Sequence, residues 1–248
     1  MLAVPAIGMI LNQGYKMTIL NSLLLRLKKS PRLTPIKKFV QRRRERFLKD
    51  VFGVVHIGAN SGQERELYNS YGVNVVWVEP IPDIFETLQN NIRNYPKQKA
   101  YKELITDVNG KNYEFNIANN NGASSSILDF KEHKELFPDV QYGSKVNLTS
   151  ITLTKLFEQE NIPLDNYQAL IMDTQGSELL VLKGAIPILN AFTFIKLEVP
   201  DFEAYKDCCQ VIDVEAFMKE NGFAEVSRNE FAGNRGSGKY YDILYKRV

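Results

Sequence analysis

Gly58 and Gly62, with Asn60 between them, follow the run Val54-Val55-His56-Ile57, and Glu79 closes a second run, Val75-Val76-Trp77-Val78. Glycines in such a turn let the backbone pass close to a ligand at the carboxyl end of a strand. An acid at the end of the next strand can accept both hydroxyl protons of a ribose. A dinucleotide fingerprint would read G-x-G-x-x-G and would seat a pyrophosphate on a helix N-terminus. Here the spacing is Gly58-x-x-x-Gly62, and Gln63 stands where a third glycine would let helix and strand close up. A bare strand–turn–helix could carry the same glycines, but Glu79 favours a ligand. The pattern points to an adenosine ligand without a pyrophosphate, and S-adenosylmethionine meets that description.

Two further acids end apolar runs: Asp173 follows Ala169-Leu170-Ile171-Met172, and Glu198 lies in Thr193–Val199. Methyl transfer from a sulfonium needs alignment above all. An alcohol acceptor is a poor nucleophile at neutral pH and benefits from a base or a metal. Asp173 and Glu198 could serve as base and orienter, or as ligands of one Mg²⁺. The plainer alternative has Asp173 cap a helix and Glu198 order a loop. His133 is a further candidate base, although a lone histidine on a polar helical segment is more often exposed. The polar loop Asn119–Ser126, with Ser124, Ser125 and Ser126, suits a hydroxyl-rich substrate or forms a surface loop. Ile105 and Thr106 end a strand where adenine would lie, or simply pack. Gly58, Asn60 and Gly62 would shape the wall around the methionine part.

The elements that must position these residues alternate. Strands are expected over Val51–Ile57, Asn74–Glu79, Lys99–Thr106, Ala169–Asp173 and Thr193–Val199. Their continuous apolar character fits strands buried on both faces. Helices are expected over Ser61–Tyr71, from Pro82 to about Asn94, over Asp129–Phe137, after Thr152, after Glu178 and over Val211–Asn221. Asn109-Gly110 reads as a hairpin turn into Tyr113–Ala118, and Lys145–Ile151 alternates like an exposed strand. Phe223–Val226 and Tyr240–Tyr245, with no helical pattern between them, read as antiparallel neighbours. The fold class is α/β, with a Rossmann-like, mostly parallel sheet.

The chain has 248 residues and a net charge of +2. That charge hides an asymmetry: from Arg26 to Lys49 there are eleven basic residues and one acid, Glu45, while the rest is acidic. The expected organisation is a basic, partly helical extension over 1–49 and a domain over 50–248. Residues 17–49 could dock on an anionic membrane surface, although charge runs are usually only solvated. Met17 is a possible alternative start. The leader is too interrupted for a transmembrane span and has the wrong order for a secretory signal. The adjacent Cys208 and Cys209 read as free thiols in a reducing, cytoplasmic setting. The acidic domain disfavours nucleic acid as a partner.

These segments together resemble the FkbM-type S-adenosylmethionine-dependent methyltransferases. The resemblance rests on His56-x-Gly58-Ala59-Asn60-x-Gly62, Val78-Glu79-Pro80, Ser124–Ser126, Asp173-Thr174-Gln175-Gly176-Ser177-Glu178, Val181–Ala185 and Leu197-Glu198. It implies a seven-stranded sheet with an antiparallel last strand, and O-methylation of a sugar, glycan or other hydroxyl compound. It adds Pro80 and Thr174 to the cofactor side and Gln175 to the substrate side. Two departures stand out. The family carries Asp at the place of His56 and Glu at the place of Gln175. His56 can still reach the cofactor's amino-acid end by hydrogen bonding, but the charge complement to the ammonium is lost. A nucleoside-binding scaffold without catalysis is the alternative these departures suggest.

Overall fold

The computed structural model describes residues 44–233 and 238–248. The leader readings over residues 1–43, including the helix at Met17–Leu27, lie outside the described residues. The compact body begins at Glu45.

Five parallel strands form the centre: β1 (Gly53–Ile57), β2 (Asn74–Val78), β3 (Gln98–Tyr101), β7 (Ala169–Met172) and β8 (Phe194–Pro200). With β9 (Phe223–Gly233) and β10 (Lys239–Arg247) they make a seven-stranded sheet in the order β3-β2-β1-β7-β8-β10-β9. β10 pairs antiparallel with β9, as the pattern of the last two strands predicts, and inserts between it and β8. β1 and β7 are buried along their whole length, which is why both read as unbroken apolar runs.

Alternate residues feed two cores. Val55, Ile57, Leu170, Met172, Ile195 and Leu197 face helices α4 (Leu153–Gln159), α5 (Glu178–Gly184) and α6 (Val211–Glu220). Val54, Val75, Trp77, Ala169 and Ile171 face α1 (Arg65–Tyr71) and α2 (Pro82–Ile92). Helix ends follow local chemistry. Pro82 opens α2, and the Thr152 hydroxyl caps α4 by accepting from the Lys155 N–H at 3.1 Å. Gln210 and Asp213 form a capping box on α6.

Three expectations are corrected. The single strand expected over Lys99–Thr106 is two strands. Its first half joins the main sheet as β3, and its second half, β4 (Leu104–Ile105), leaves for a three-stranded sheet in the order β4-β6-β5. Asn109-Gly110 therefore does not close a hairpin. β5 (Asn112–Ala118) pairs antiparallel with β6 (Tyr142–Ile151), which lies between β4 and β5. The helix expected over Asp129–Phe137 is only the short α3 (His133–Leu136). Both cysteines are free and buried. Among the described residues no helix is long and apolar enough to cross a membrane.

The Lys196 ammonium, on the α1 side of β8, pairs with Glu45 and stands 3.9 Å from Asp242. Burial opposes its charge, but Asp242 and Glu45 more than offset this and raise its pKa. Removing one partner of such a pair strands a buried charge, at a cost of about 3–5 kcal/mol. Glu45→Ala should therefore destabilise the protein far more than Glu114→Ala, which removes an exposed, solvent-screened pair with Lys145 and should cost little. Urea denaturation of both variants checks this; equal losses would show that Lys196 finds another partner.

Candidate functional site

The chain runs β1→β2→β3 to one side of the sheet and β7→β8 to the other. The order reverses between β1 and β7, and ligands favour the crevice beyond the strand ends at such a point. A cavity of about 290 Å³ opens there. Its floor is the turn after β1. Gly58 has φ +75°, and a Cβ on it would lie 1.9 Å from the Asp173 carbonyl oxygen, so only glycine lets β1 and β7 end side by side. The Gly58 and Ala59 N–H groups donate to the Val78 carbonyl, and the Asp173 N–H donates to that of Ile57. These bonds tie the three strand ends together.

Glu79 ends β2 and is buried. One carboxylate oxygen accepts from the Asn60 N–H at 2.8 Å, the other from the Ile81 N–H at 3.0 Å. Each oxygen keeps a lone pair for a hydroxyl donor. Burial pushes its pKa up to about 7 against these bonds. Toward β4 and β5 the wall is Leu104, Ile105, Phe115 and Ala123, which suits a flat purine. Toward β1 and β7 the wall is polar: His56, Asn60, Glu64, Asp173 and Thr174. Four carboxylates line the cavity, Glu64, Glu79, Glu103 and Asp173, and no Lys or Arg does among the described residues. All four have raised pKa values, burial being the largest cause each time. Such a chamber favours a cation.

His56 is neutral. Burial, then the nearby Lys196, lowers its pKa to about 3. Nδ1 shares a 3.0 Å hydrogen bond with the Tyr68 hydroxyl, and the ring stacks on Trp77 with centroids 5.0 Å apart.

The turn after β7 is organised by a residue the motif reading left without a role. Glu178 is fully buried, and its carboxylate accepts from the N–H groups of Thr174 and Gly176 and from the Thr174 hydroxyl. This holds Gln175 in the left-handed region, at φ +53°. The Gln175 amide donates to Asp173 Oδ1 at 2.5 Å, and its carbonyl accepts from the Tyr205 hydroxyl. Asp173 and Glu198 stand on adjacent strands. Burial, followed by repulsion from neighbouring carboxylates, raises both, Asp173 to about 7. The Mg²⁺ reading of this pair finds no support. Among the described residues no group of three or more His, Cys, Asp or Glu converges to hold a metal ion, and an amide N–H already occupies Asp173 Oδ1.

Of the residues singled out from the sequence, His56, Gly58, Asn60, Glu79, Pro80, Ile105, Ser125, Asp173, Thr174 and Gln175 line the cavity. The others lie behind it. Gly62 lets α2 approach, since a Cβ there would meet Leu88 at 2.6 Å. The Thr106 hydroxyl bonds Val108. The serine loop is buried rather than a free surface loop. Ser124 bonds Asn120, Ser125 caps the Ala118 N–H, and Ser126 donates to the Gln175 carbonyl. Only Ser125 reaches the cavity wall. Glu198 is half-buried and outside the lining. His133 is not exposed. At 3% exposure it packs among Phe130, Phe137, Tyr205 and Tyr240, with Nδ1 2.6 Å from the Tyr240 hydroxyl. Burial lowers its pKa to about 4.

The cavity also uses Gln63, Glu64, Glu103 and Phe115, which carried no motif signal. Glu64 and Gln63 directly follow Gly62, and Glu103 precedes the Leu104-Ile105 pair; nearness to a motif was the one available hint.

The sequence matches the Methyltransferase FkbM domain over residues 56–224. No curated protein matches it. Among solved structures it is similar to a candidate sarcosine dimethylglycine methyltransferase from Galdieria sulphuraria, at 10% identity and TM-score 0.50, covering 87% of each chain. It is also similar to the magnesium protoporphyrin IX methyltransferase of Synechocystis with bound S-adenosylmethionine, at 10% identity and TM-score 0.48, covering 98% of this chain and 87% of that one. At such identities the likeness concerns the fold. The family domain spans more than half of the chain and contains the strand ends that build the cavity; the chain belongs to the FkbM methyltransferase family.

Proposed function

We propose that the protein methylates a hydroxyl group of a sugar, glycan or related small molecule. The observation that carries this reading is the carboxylate chamber itself, with Asp173 at its inner edge and Gln175 beside it. When bound, S-adenosylmethionine supplies a methyl group already activated on a positively charged sulfur. Glu79 holds the ribose hydroxyls, the Leu104–Ile105–Phe115 wall covers the adenine, and the acidic lining offsets the cofactor's positive charge.

Asp173 is the base. It takes the proton of the acceptor hydroxyl as that oxygen gains the methyl group. Gln175 orients the Asp173 carboxylate, and Tyr205 orients Gln175. Burial and the nearby Asp173 also raise Glu198, so the two carboxyls titrate as a pair. An acceptor with phosphate or carboxylate groups near its reacting oxygen would meet like charge from the ionised carboxylates of the lining. A neutral hydroxyl compound does not, and a nucleic-acid backbone is disfavoured for the same reason. Beyond its lining, the protein has the basic leader over 17–49, which could bring it to an anionic membrane holding such acceptors.

Calorimetric titration with S-adenosylhomocysteine should give micromolar binding. Glu79→Ala should weaken it by about 100-fold, the loss of two charge-assisted hydrogen bonds. Unchanged affinity would remove Glu79 from the ribose.

An acceptor screen should find a sugar that gains one methyl group by mass spectrometry. Tight cofactor binding with no product across neutral sugars would favour the scaffold reading. With the acceptor in hand, kcat should rise with pH through about 7 and then level off, because only ionised Asp173 accepts the proton. Asp173→Asn should lower kcat by about 10²–10⁴-fold without weakening cofactor binding comparably. A rate that is flat between pH 5.5 and 8.5 in the wild type would exclude Asp173 as the base.

A further inference from the structure

Glu79 divides the cavity into an apolar half beneath β4 and β5 and a polar half beneath β1 and β7. A nucleoside with its ribose on Glu79 and its purine on Ile105 and Phe115 must direct its 5′ substituent into the polar half. For S-adenosylmethionine that substituent ends in an amino acid, with an ammonium to be matched. The family resemblance places an Asp at position 56 for the charge match, and this chain has a neutral histidine there, committed to Tyr68 and stacked on Trp77.

Glu64 lines the same half. It stands at the start of α1, two residues beyond Gly62, and shares the cavity wall with His56, Gly58 and Asn60. Its side chain makes no cap for the helix it precedes. Burial opposes a charge on both residues, and Lys196 then adds to this at His56 but works against it at Glu64. The charge that left position 56 therefore has a counterpart on the next element. Asp173 is the other carboxylate of the polar half, but the Gln175 amide already engages one of its oxygens.

We propose that Glu64 is the residue that receives the cofactor's ammonium group, in place of a carboxylate at position 56. The proposal rests on the nucleoside placement at Glu79 given above. It makes His56 a spacer: a neutral, stacked ring that leaves the ionic contact to the following helix. Restoring Asp at 56 is then unnecessary for cofactor affinity in this chain.

The test compares two ligands by calorimetry, S-adenosylhomocysteine and its deaminated analogue, which differs only in lacking the ammonium. The wild type should prefer the first by about 30-fold, the size expected for one buried charge pair. Glu64→Gln should lower that preference to about twofold or less by weakening S-adenosylhomocysteine alone, and Glu64→Asp should retain most of it. Glu79→Ala should weaken both ligands and keep the preference. Equal binding of the two ligands by the wild type, or a preference that survives Glu64→Gln, overturns the proposal; the wild-type comparison holds even if a variant folds poorly. Loss of the preference in Asp173→Asn but not in Glu64→Gln would assign the contact to Asp173 instead. A wild type that binds neither ligand would reject the nucleoside placement, and a Glu79→Ala variant that binds both normally would reject it without touching the ammonium contact.

Discussion

Everything in the site depends on how closely β1 and β7 end beside one another. Gly58 lies against the carbonyl of Asp173 with no room for a Cβ, and that approach brings the Glu79 side of the sheet next to the acidic turn after β7. Both strands are buried on both faces, so neither can shift sideways without exposing core residues such as Val55 and Leu170. The glycine is therefore a consequence of the sheet order. The strand order reverses at this point, and the cavity opens in the crevice beyond the strand ends.

The cavity is electrostatically one-sided. Four carboxylates line it, and burial resists the ionisation of each. A folded chain keeps such groups together only where something compensates, and here the backbone does part of it. Glu79 and Glu178 each accept main-chain N–H groups, which holds the two turns in shape. Glu178 shows how far a buried acid can act: it never reaches the cavity lining, yet it fixes the loop that presents Asp173 and Gln175. A positively charged ligand completes the compensation, which is the physical reason that a sulfonium cofactor fits these walls better than an anionic dinucleotide.

The two departures from the family pattern differ in kind. His56 belongs to the core as much as to the cavity, through Trp77, Tyr68 and the register that sets it opposite Ile171. Gln175 belongs to the site. Its amide can donate to Asp173 and accept from Tyr205 at once, whereas an ionised carboxylate has no donor to offer Asp173 and would set a third acid beside the Asp173–Glu198 pair.

Local pattern alone carried much of this. Continuous apolar runs marked the central strands because parallel strands are buried on both faces. Gly58 and Glu79 were legible because a left-handed turn and a strand-ending acid each demand a particular residue type. Thr152 and Pro82 announced their helices for equally local reasons. Tertiary structure decided the rest. The segment over Lys99–Thr106 contains no glycine or proline to mark a break, and pairing with β2 on one side and β6 on the other splits it at Lys102-Glu103 into β3 and β4. The three serines are alike in sequence, and only the fold turns Ser125 to the cavity while Asn120 and Gln175 engage the others. His133 lies in a polar stretch, and it is buried because Tyr205 and Tyr240 arrive from distant strands and loops. Glu64, Glu103 and Phe115 gain their places from elements far apart in the chain. Backbone conformation is written residue by residue, whereas which side chains share a cavity depends on long-range pairing, and that information lies in no single stretch of sequence.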